Sequence, residues 1–512
     1  MSRKFSVLVL FVFLMALMIA PVAAQDGSTP IRMALSNEPS NLDPAIQAGT
    51  SARTVRLLVY RGLFNYNVEG VASPELVESY EVSEDGLTYT FTLRDAVFHN
   101  GDPVTAEDVK FTFERILNPE IGATFANLFS VVEEITVVDD KTVSFTLSTV
   151  VAPFIDYLAL TESAIVSKSW TEEHGGDLSG NPMGAGPYRF VEYSEGQRIV
   201  LEKFEDFYNA DNVVTQQIIF EFYPDGTSRV NALMAGETDI IEYVPWKDIP
   251  LITSNEDLQL LGGTGAFMGL IFNTNFEPFA DARVRQAVAY AIDRAVVINT
   301  AFSGQGEPMF GMPVPSSSLA YDPRFDNYFE YNPDRARELL AEAGYADGFS
   351  ARLLATSQYD FHQQTAVAVQ AELAKIGIQL ELDLPDWATR LEQNLAGDYD
   401  MLVVGTAGDI ADPDYLRDFY QSGEIRLNNA PGFVDERIDE LLELGRTTLD
   451  VDERRAIYAE LQERALDQSP LVYLMWRSQS YAASDSVVGF EPLPGFLSFQ
   501  SGISLEDAYI QQ

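Results

Sequence analysis

Cysteine is absent from all 512 residues. That excludes disulfides, thiolate nucleophiles, Cys-type metal centres and the lipid-modified cysteine that anchors many exported proteins. Histidine is nearly absent as well. His99, His174 and His362 are scattered along the chain, and with no cysteine beside them they offer no ligand set for nickel or any other transition metal. Positive charge is scarce: 33 basic residues face 77 acidic ones, for a net charge of −44. A field of that sign repels phosphate backbones and anionic lipid, so nucleic acid and unassisted membrane binding are disfavoured. It suits a strongly solubilised surface and, near a binding site, a modest preference for cations, with screening over about 8 to 10 Å at ordinary salt limiting the effect to nearby charges. Gly-x-Ser-x-Gly and His-Glu-x-x-His are both missing, which removes two common hydrolase signatures.

Only one long apolar run occurs, and it is terminal. Arg3 and Lys4 precede the apolar stretch Phe5 to Ile19, and Val22-Ala23-Ala24 offers small residues before Gln25. This is the pattern of a cleaved export signal over residues 1–24, too short to span a bilayer comfortably. The remainder, in a chain that is 46% hydrophobic and 12% aromatic, has the composition of a folded globular protein. Its length calls for two or three domains, because one hydrophobic core rarely organises so many residues.

The most informative segment is Pro74 to Ile116. Leu87, Tyr89, Phe91 and Leu93 alternate with Thr88, Thr90 and Thr92, a period of two that predicts a half-buried strand after the turn Glu84-Asp85-Gly86. Asn100-Gly101-Asp102-Pro103 interrupts regular pairing. Thr105 and Asp108 then form a capping-box pattern that opens a helix with Val109, Phe113 and Ile116 on one face, stopped by Asn118-Pro119. Lys141 to Leu147 repeats the strand alternation after Asp139-Asp140. Gly184-Ala185-Gly186-Pro187 lacks the Lys-Ser/Thr of a phosphate loop and reads as a tight chain crossing.

Further on, helix and strand patterns alternate, which argues for α/β architecture. Asp225 to Ile240 predicts a helix closed by Gly236 and followed by a strand. Asp281 caps a helix with Val284, Ala287, Val288 and Ala291 on its apolar stripe. Asn332, Pro333 and Gly344 punctuate a helix that buries Leu339 and Leu340. Ala366 to Gly377 predicts another helix and Ile378, Leu380 and Leu382 a strand. Helices at Asp435 to Arg446 and Asp452 to Leu466 precede Pro470-Leu-Val-Tyr-Leu and a last strand near Val487 to Phe490.

The run PELVESYEVSEDGLTYTFTLRD, with the NGDPVTAEDVKFTFER that follows, resembles nearly position for position the signature of the peptide/nickel-type solute-binding proteins of ABC importers, extracellular family 5. Glu38 to Pro44, Val59 to Leu63, Gly236 to Asp239 and Pro278 to Ala287 resemble further landmarks, so the likeness covers nearly the whole mature chain. It implies a two-lobe periplasmic-binding-protein fold of type II, α/β, with a hinge of two crossing strands and an extra inserted subdomain. The expected divisions are 25–64, 184–264 and 482–512 for lobe I, 65–183 for its inserted subdomain, and 265–481 for lobe II.

The resemblance also implies a function: an exported, monomeric receptor that closes on a peptide and delivers it to a membrane permease driven by ATPase subunits; with no cysteine to carry a lipid, it is expected to diffuse in the periplasm or an equivalent envelope space unless the apolar N-terminal segment is retained. No cofactor and no metal is expected, and no bond is made or broken. Peptide-binding members hold the ligand's α-ammonium with an aspartate shortly before an Asp-Pro; here Gly405 to Asp414 places Asp409 there, although an ordinary turn aspartate would read the same way. Two departures stand out. Thr406 occupies a place where many peptide binders have Trp, and Ala355 to Thr365 lacks the Arg with which dipeptide binders hold a carboxylate. A longer peptide or another amine-bearing solute suits both. Trp387 falls close to the expected cleft, and Trp246, Phe267, Ser36 and Asn37 are further candidates at lobe edges. Oligosaccharides are competing ligands for the same fold; an exported hydrolase or a peptide-holding chaperone is the alternative class.

Overall fold

The computed structural model describes residues 27–46 and 49–511. The inferred export signal lies outside the described residues. Ten strands carry the main sheet: β1 (Ile31–Leu35), β2 (Tyr188–Ser194), β3 (Arg198–Lys203), β4 (Gln217–Phe222), β5 (Ile240–Ile241), β6 (Leu258–Phe272), β7 (Phe349–Leu354), β8 (Ile378–Asp383), β9 (Met401–Thr406) and β10 (Leu471–Ser484). Their spatial order is β8-β7-β9-β6-β10-β5-β1-β4-β3-β2, with the short strand Gly306–Pro308 paired to β10 as well. Two lobes therefore share one sheet, and β6 and β10 join them as a long antiparallel ribbon. The expected divisions at 264 and 481 fall inside these two strands, which pass unbroken between the lobes.

The ribbon is not uniform. Its register slips between Thr264 and Ala266, and the residue left over is Gly265, where a Cβ would come within 2.0 Å of the Gly495 carbonyl oxygen. A bulge with no side chain lets the C-terminal segment cross directly over the ribbon.

The inserted layer is a separate four-stranded antiparallel sheet ordered Val77–Val82, Thr88–Leu93, Thr142–Leu147, Val132–Asp139. Its local structure follows the sequence closely. Tyr89, Phe91 and Leu93 point inward while the threonines alternate outward. Thr105 and Asp108 form the capping box of helix Ala106–Leu117, and that helix lays Phe113 edge-on against Phe145 with ring centroids 5.0 Å apart. Asp225, Asp281 and Asn332 accept main-chain hydrogen bonds as N-caps of their helices. At the Gly184-Ala185-Gly186 crossing, a Cβ on Gly186 would stand 2.3 Å from the Leu58 carbonyl oxygen and one on Gly184 2.1 Å from that of Val59. These glycines serve a close chain crossing.

Two elements differ from expectation. The helix read as starting at Ala366 begins at Asp360, because its buried stripe continues through His362 and Thr365, residues that do not read as apolar. The last strand shrinks to Val487–Val488, pairs with Tyr509–Ile510 outside the main sheet, and ends at Gly489 with φ +85°.

Candidate ligand-binding site

The first turn of helix Thr50–Val59 contacts both lobes, and two groups of side chains can be described from it. The first group is charged. Arg53 Nη2 donates to Glu162 Oε1 at 2.7 Å and lies 3.5 Å from Asp409 Oδ1, so one guanidinium from the first lobe faces a carboxylate of the inserted layer and another of the second lobe. The side chains of Arg53 and Glu162 are 10% and 3% exposed, whereas that of Asp409 is 45% exposed. Glu162 thus has the better share of the cation, and Asp409 keeps an open face.

That face looks into a cavity of about 490 Å³. Phe125, Leu128 and Leu160 line it from the inserted layer, and Asp409, Tyr415 and Phe419 from the second lobe. A cavity of this size lies within the ~300–1,000 Å³ range of sites for small ligands. Burial pushes the Asp409 carboxyl up to about 6; Arg53 works against this, and Glu162 and Asp418 add to it. Arg417 and Arg426 also line the cavity but pair with Asp414 and Asp418, so Asp409 is left with Arg53 alone, which it shares with Glu162. The Gln500 side-chain amide donates to the Asp409 carbonyl oxygen at 3.2 Å and fixes the loop. Just beyond, the Asp-Pro-Asp segment is firmly held: Arg454 clamps Asp412 with two bonds of 2.8 and 2.9 Å, while Tyr157 Oη and Arg446 Nη2 donate to Asp414 at 2.5 and 3.2 Å.

The second group is aromatic. On the same first turn as Arg53, Thr50 Oγ1 lies 3.1 Å from Tyr243 Oη, and Tyr243 holds a left-handed backbone with φ 52°, an uncommon state for a bulky residue. Trp246 stands edge-on to Phe361 across the lobes with centroids 5.3 Å apart, and its indole N–H donates to the Ser478 carbonyl at 3.1 Å. Trp387 packs against Tyr359 and His362 and lies under the Arg390 guanidinium. Burial, with Arg390 and Arg477 nearby, pushes His362 down to about 3, so it is neutral at ordinary pH.

The candidates chosen from sequence are therefore distributed unevenly. Asp409 lines the cavity; Trp246 and Trp387 belong to the aromatic group. Thr406 is half-buried, with its main chain paired to Phe267 and its hydroxyl directed at the Ala407 carbonyl. Phe267 is a core residue: Phe419, Tyr473, Trp476 and Phe496 surround it and leave it no exposed surface. Ser36 is committed to structure as well, because its main-chain N–H and its hydroxyl both donate to Glu242 at 2.7 and 2.6 Å. Asn37 is exposed and bonds to Ser36 and Ser51. Sequence reasoning missed Arg53, Tyr243, Phe361 and Arg477. The legible signal for Arg477 was an arginine set inside the run Leu471 to Ala483, which otherwise packs as core.

Among the described residues, no group of three or more histidine, aspartate or glutamate side chains is arranged to hold a metal ion, and no helix is long and apolar enough to cross a membrane.

Two lobes sharing a sheet, a hinge ribbon and a lined cavity between the lobes define a periplasmic-binding-protein architecture. The chain belongs to the bacterial extracellular solute-binding proteins, family 5, which it matches over residues 72–426. These are monomeric substrate-binding receptors of ABC importers that hand their ligands to a permease and its ATPases. The chain is 29% identical over 508 residues to the glutathione-binding protein GsiB of Pectobacterium atrosepticum, covering 96% of each. It is similar to the solved structure of the binding protein AgaA from A. tumefaciens R10 in complex with agropinic acid, at 49% identity and a TM-score of 0.86 over 94% of this chain and 99% of that one. HbpA2 from Haemophilus parasuis shares the fold at 26% identity and a TM-score of 0.81, over 94% and 100%.

Proposed function

We propose that this receptor captures a small amine-bearing solute of amino-acid type, short peptides first among them, and delivers it intact without catalysing a reaction. The carrying observation is Asp409: a half-open carboxylate on a cavity wall, whose one cationic partner, Arg53, is shared with Glu162, contributed by the lobe that must move on closure. An ammonium placed there would supply a second cation, and closure would follow because the ligand contacts both lobes at once. The cavity's size favours a ligand of a few residues over a long peptide. GsiB, named for glutathione, supports a short peptide. AgaA, solved with agropinic acid, supports a second reading in which the solute is a related acid that is not a peptide. Given an export signal at 1–24 and no cysteine for lipidation, the mature receptor diffuses in the periplasm or an equivalent envelope space.

Mass spectrometry of the compound that copurifies with the protein, followed by calorimetry with that compound, tests this reading. A small amine-bearing ligand recovered unchanged, whose binding raises the melting temperature, supports it. Turnover of the ligand, or a purely neutral sugar as the bound species, overturns it.

A further inference from the structure

Arg477 is the exception among the buried arginines. Arg53, Arg61, Arg115 and Arg454 face carboxylates. Arg294 and Arg390 donate to main-chain carbonyls, as do the rest. Arg477 is only 5% exposed, yet among the described residues its guanidinium has neither an ion pair nor a hydrogen bond, and its Nε is fully enclosed without an acceptor. Its guanidinium lies over the Phe361 ring, 5.1 Å from guanidinium carbon to centroid. A ring face offsets only part of the cost of a buried cation.

Its position is equally particular. Arg477 sits on β10 opposite Ala266, immediately beside the bulge where the lobes are joined. Tyr243, on the first lobe, lies close enough to favour its charge, and Phe361 and His362 approach it from the second. No carboxylate is among these neighbours. Tyr243 Oη is in turn 3.1 Å from Thr50 Oγ1, on the same helix turn that carries Arg53 toward Asp409. One turn of helix Thr50–Val59 thus touches both Tyr243, the neighbour of Arg477, and Asp409.

The geometry points to Arg477 as the anchor for a carboxylate of the bound solute, so that the ligand class is a compact amino acid derivative with its acid at the strand crossing and its amine at Asp409. This rests on the receptor reading given above and narrows it. A guanidinium fork receives a planar carboxylate through two N–H groups. A multiply charged anion would meet the field of a chain carrying −44. The anchor also answers the missing arginine in Ala355 to Thr365: the cation is supplied by the ribbon, where a ligand bound to it touches both lobes.

Calorimetry with trialanine, trialanine amide, glutathione and agropinic acid tests the inference on the wild-type receptor and on Arg477→Gln, Arg477→Lys and Asp409→Asn. The free acids that bind wild type are expected to bind Arg477→Gln roughly 100-fold more weakly, with part of the loss restored in Arg477→Lys. Ligand-free Arg477→Gln is expected to melt at or above the wild-type temperature, since an unpaired buried charge has been removed; a merely structural arginine would lower it. Acids that bind Arg477→Gln within threefold of wild type overturn the anchor, while a loss confined to Asp409→Asn leaves the receptor reading standing. If none of the acids binds wild type, the ligand class fails and the inference fails with it.

Discussion

Replacing Asp409 by Asn removes one negative charge from beside two others, Glu162 and Asp418. The carboxyl is held at about 6 against an ordinary value of 3.8, chiefly by burial, and a gap of that size corresponds to ~3 kcal/mol for keeping the group ionised. Because 45% of the side chain is open, solvent screening reduces this to roughly half, ~1.5 kcal/mol. The asparagine amide is nearly isosteric with the carboxyl it replaces, so ligand-free Asp409→Asn should be more stable to urea at pH 7 by about that amount. The sign follows from linkage. A carboxyl raised in the folded state binds its proton before the unfolded chain does, so its penalty is absent below about pH 4, grows as pH rises toward 6, and is complete above 6. The stability difference between wild type and Asp409→Asn should therefore vanish at pH 4. Ligand binding should move the opposite way: a free-amine peptide is expected to lose about 2 to 5 kcal/mol of affinity in the variant, and in wild type to weaken about tenfold between pH 7 and pH 5 as the carboxyl is protonated. Calorimetry with a peptide and its N-acetylated form reads the outcome. Equal affinity for the two in wild type would refute the assignment, whatever the urea data show.

Two other substitutions probe the scaffold. Tyr157→Phe deletes the 2.5 Å hydrogen bond from the inserted layer to Asp414 of the second lobe. Losing a bond to a charged acceptor should cost about 1.5 to 3 kcal/mol, read as a lower melting temperature; an unchanged melting temperature would show that the bond adds no net stability. Gly186→Ala puts a methyl 2.3 Å from the Leu58 carbonyl, and overpacking of main chain should destabilise the fold by about 3 kcal/mol, visible as a lower urea midpoint. A neutral effect would show that the crossing is not tight.

The inserted layer was legible in the sequence because its signals are local. The Tyr89-Phe91-Leu93 alternation and the Thr105-Asp108 capping box each specify their own element without help from distant residues. The ribbon was not. Pro470-Leu-Val-Tyr-Leu read as a short strand, yet β10 runs on through Arg477, Ser478, Gln479 and Ser480, polar residues that stay extended because β6 pairs with them along their whole length. The site was half legible for the same reason. Asp409 stands beside an Asp-Pro that the resemblance could locate. Arg53 is far from it along the chain, and only the fold brings the two within 3.5 Å; Arg477 is set at the ribbon by pairing that no local pattern announces. Phe267 and Ser36 were chosen for where they fall in the chain, and packing against Phe496 and bonding to Glu242 gave them other work.

The most direct test is a crystal structure of the receptor with its copurified solute, compared by small-angle scattering with the ligand-free protein. The account predicts an intact solute enclosed between the lobes, with an amine against Asp409, and a smaller radius of gyration once it is bound. A solute seated on one lobe only, or identical scattering with and without it from a ligand-free protein shown to be open, would contradict it.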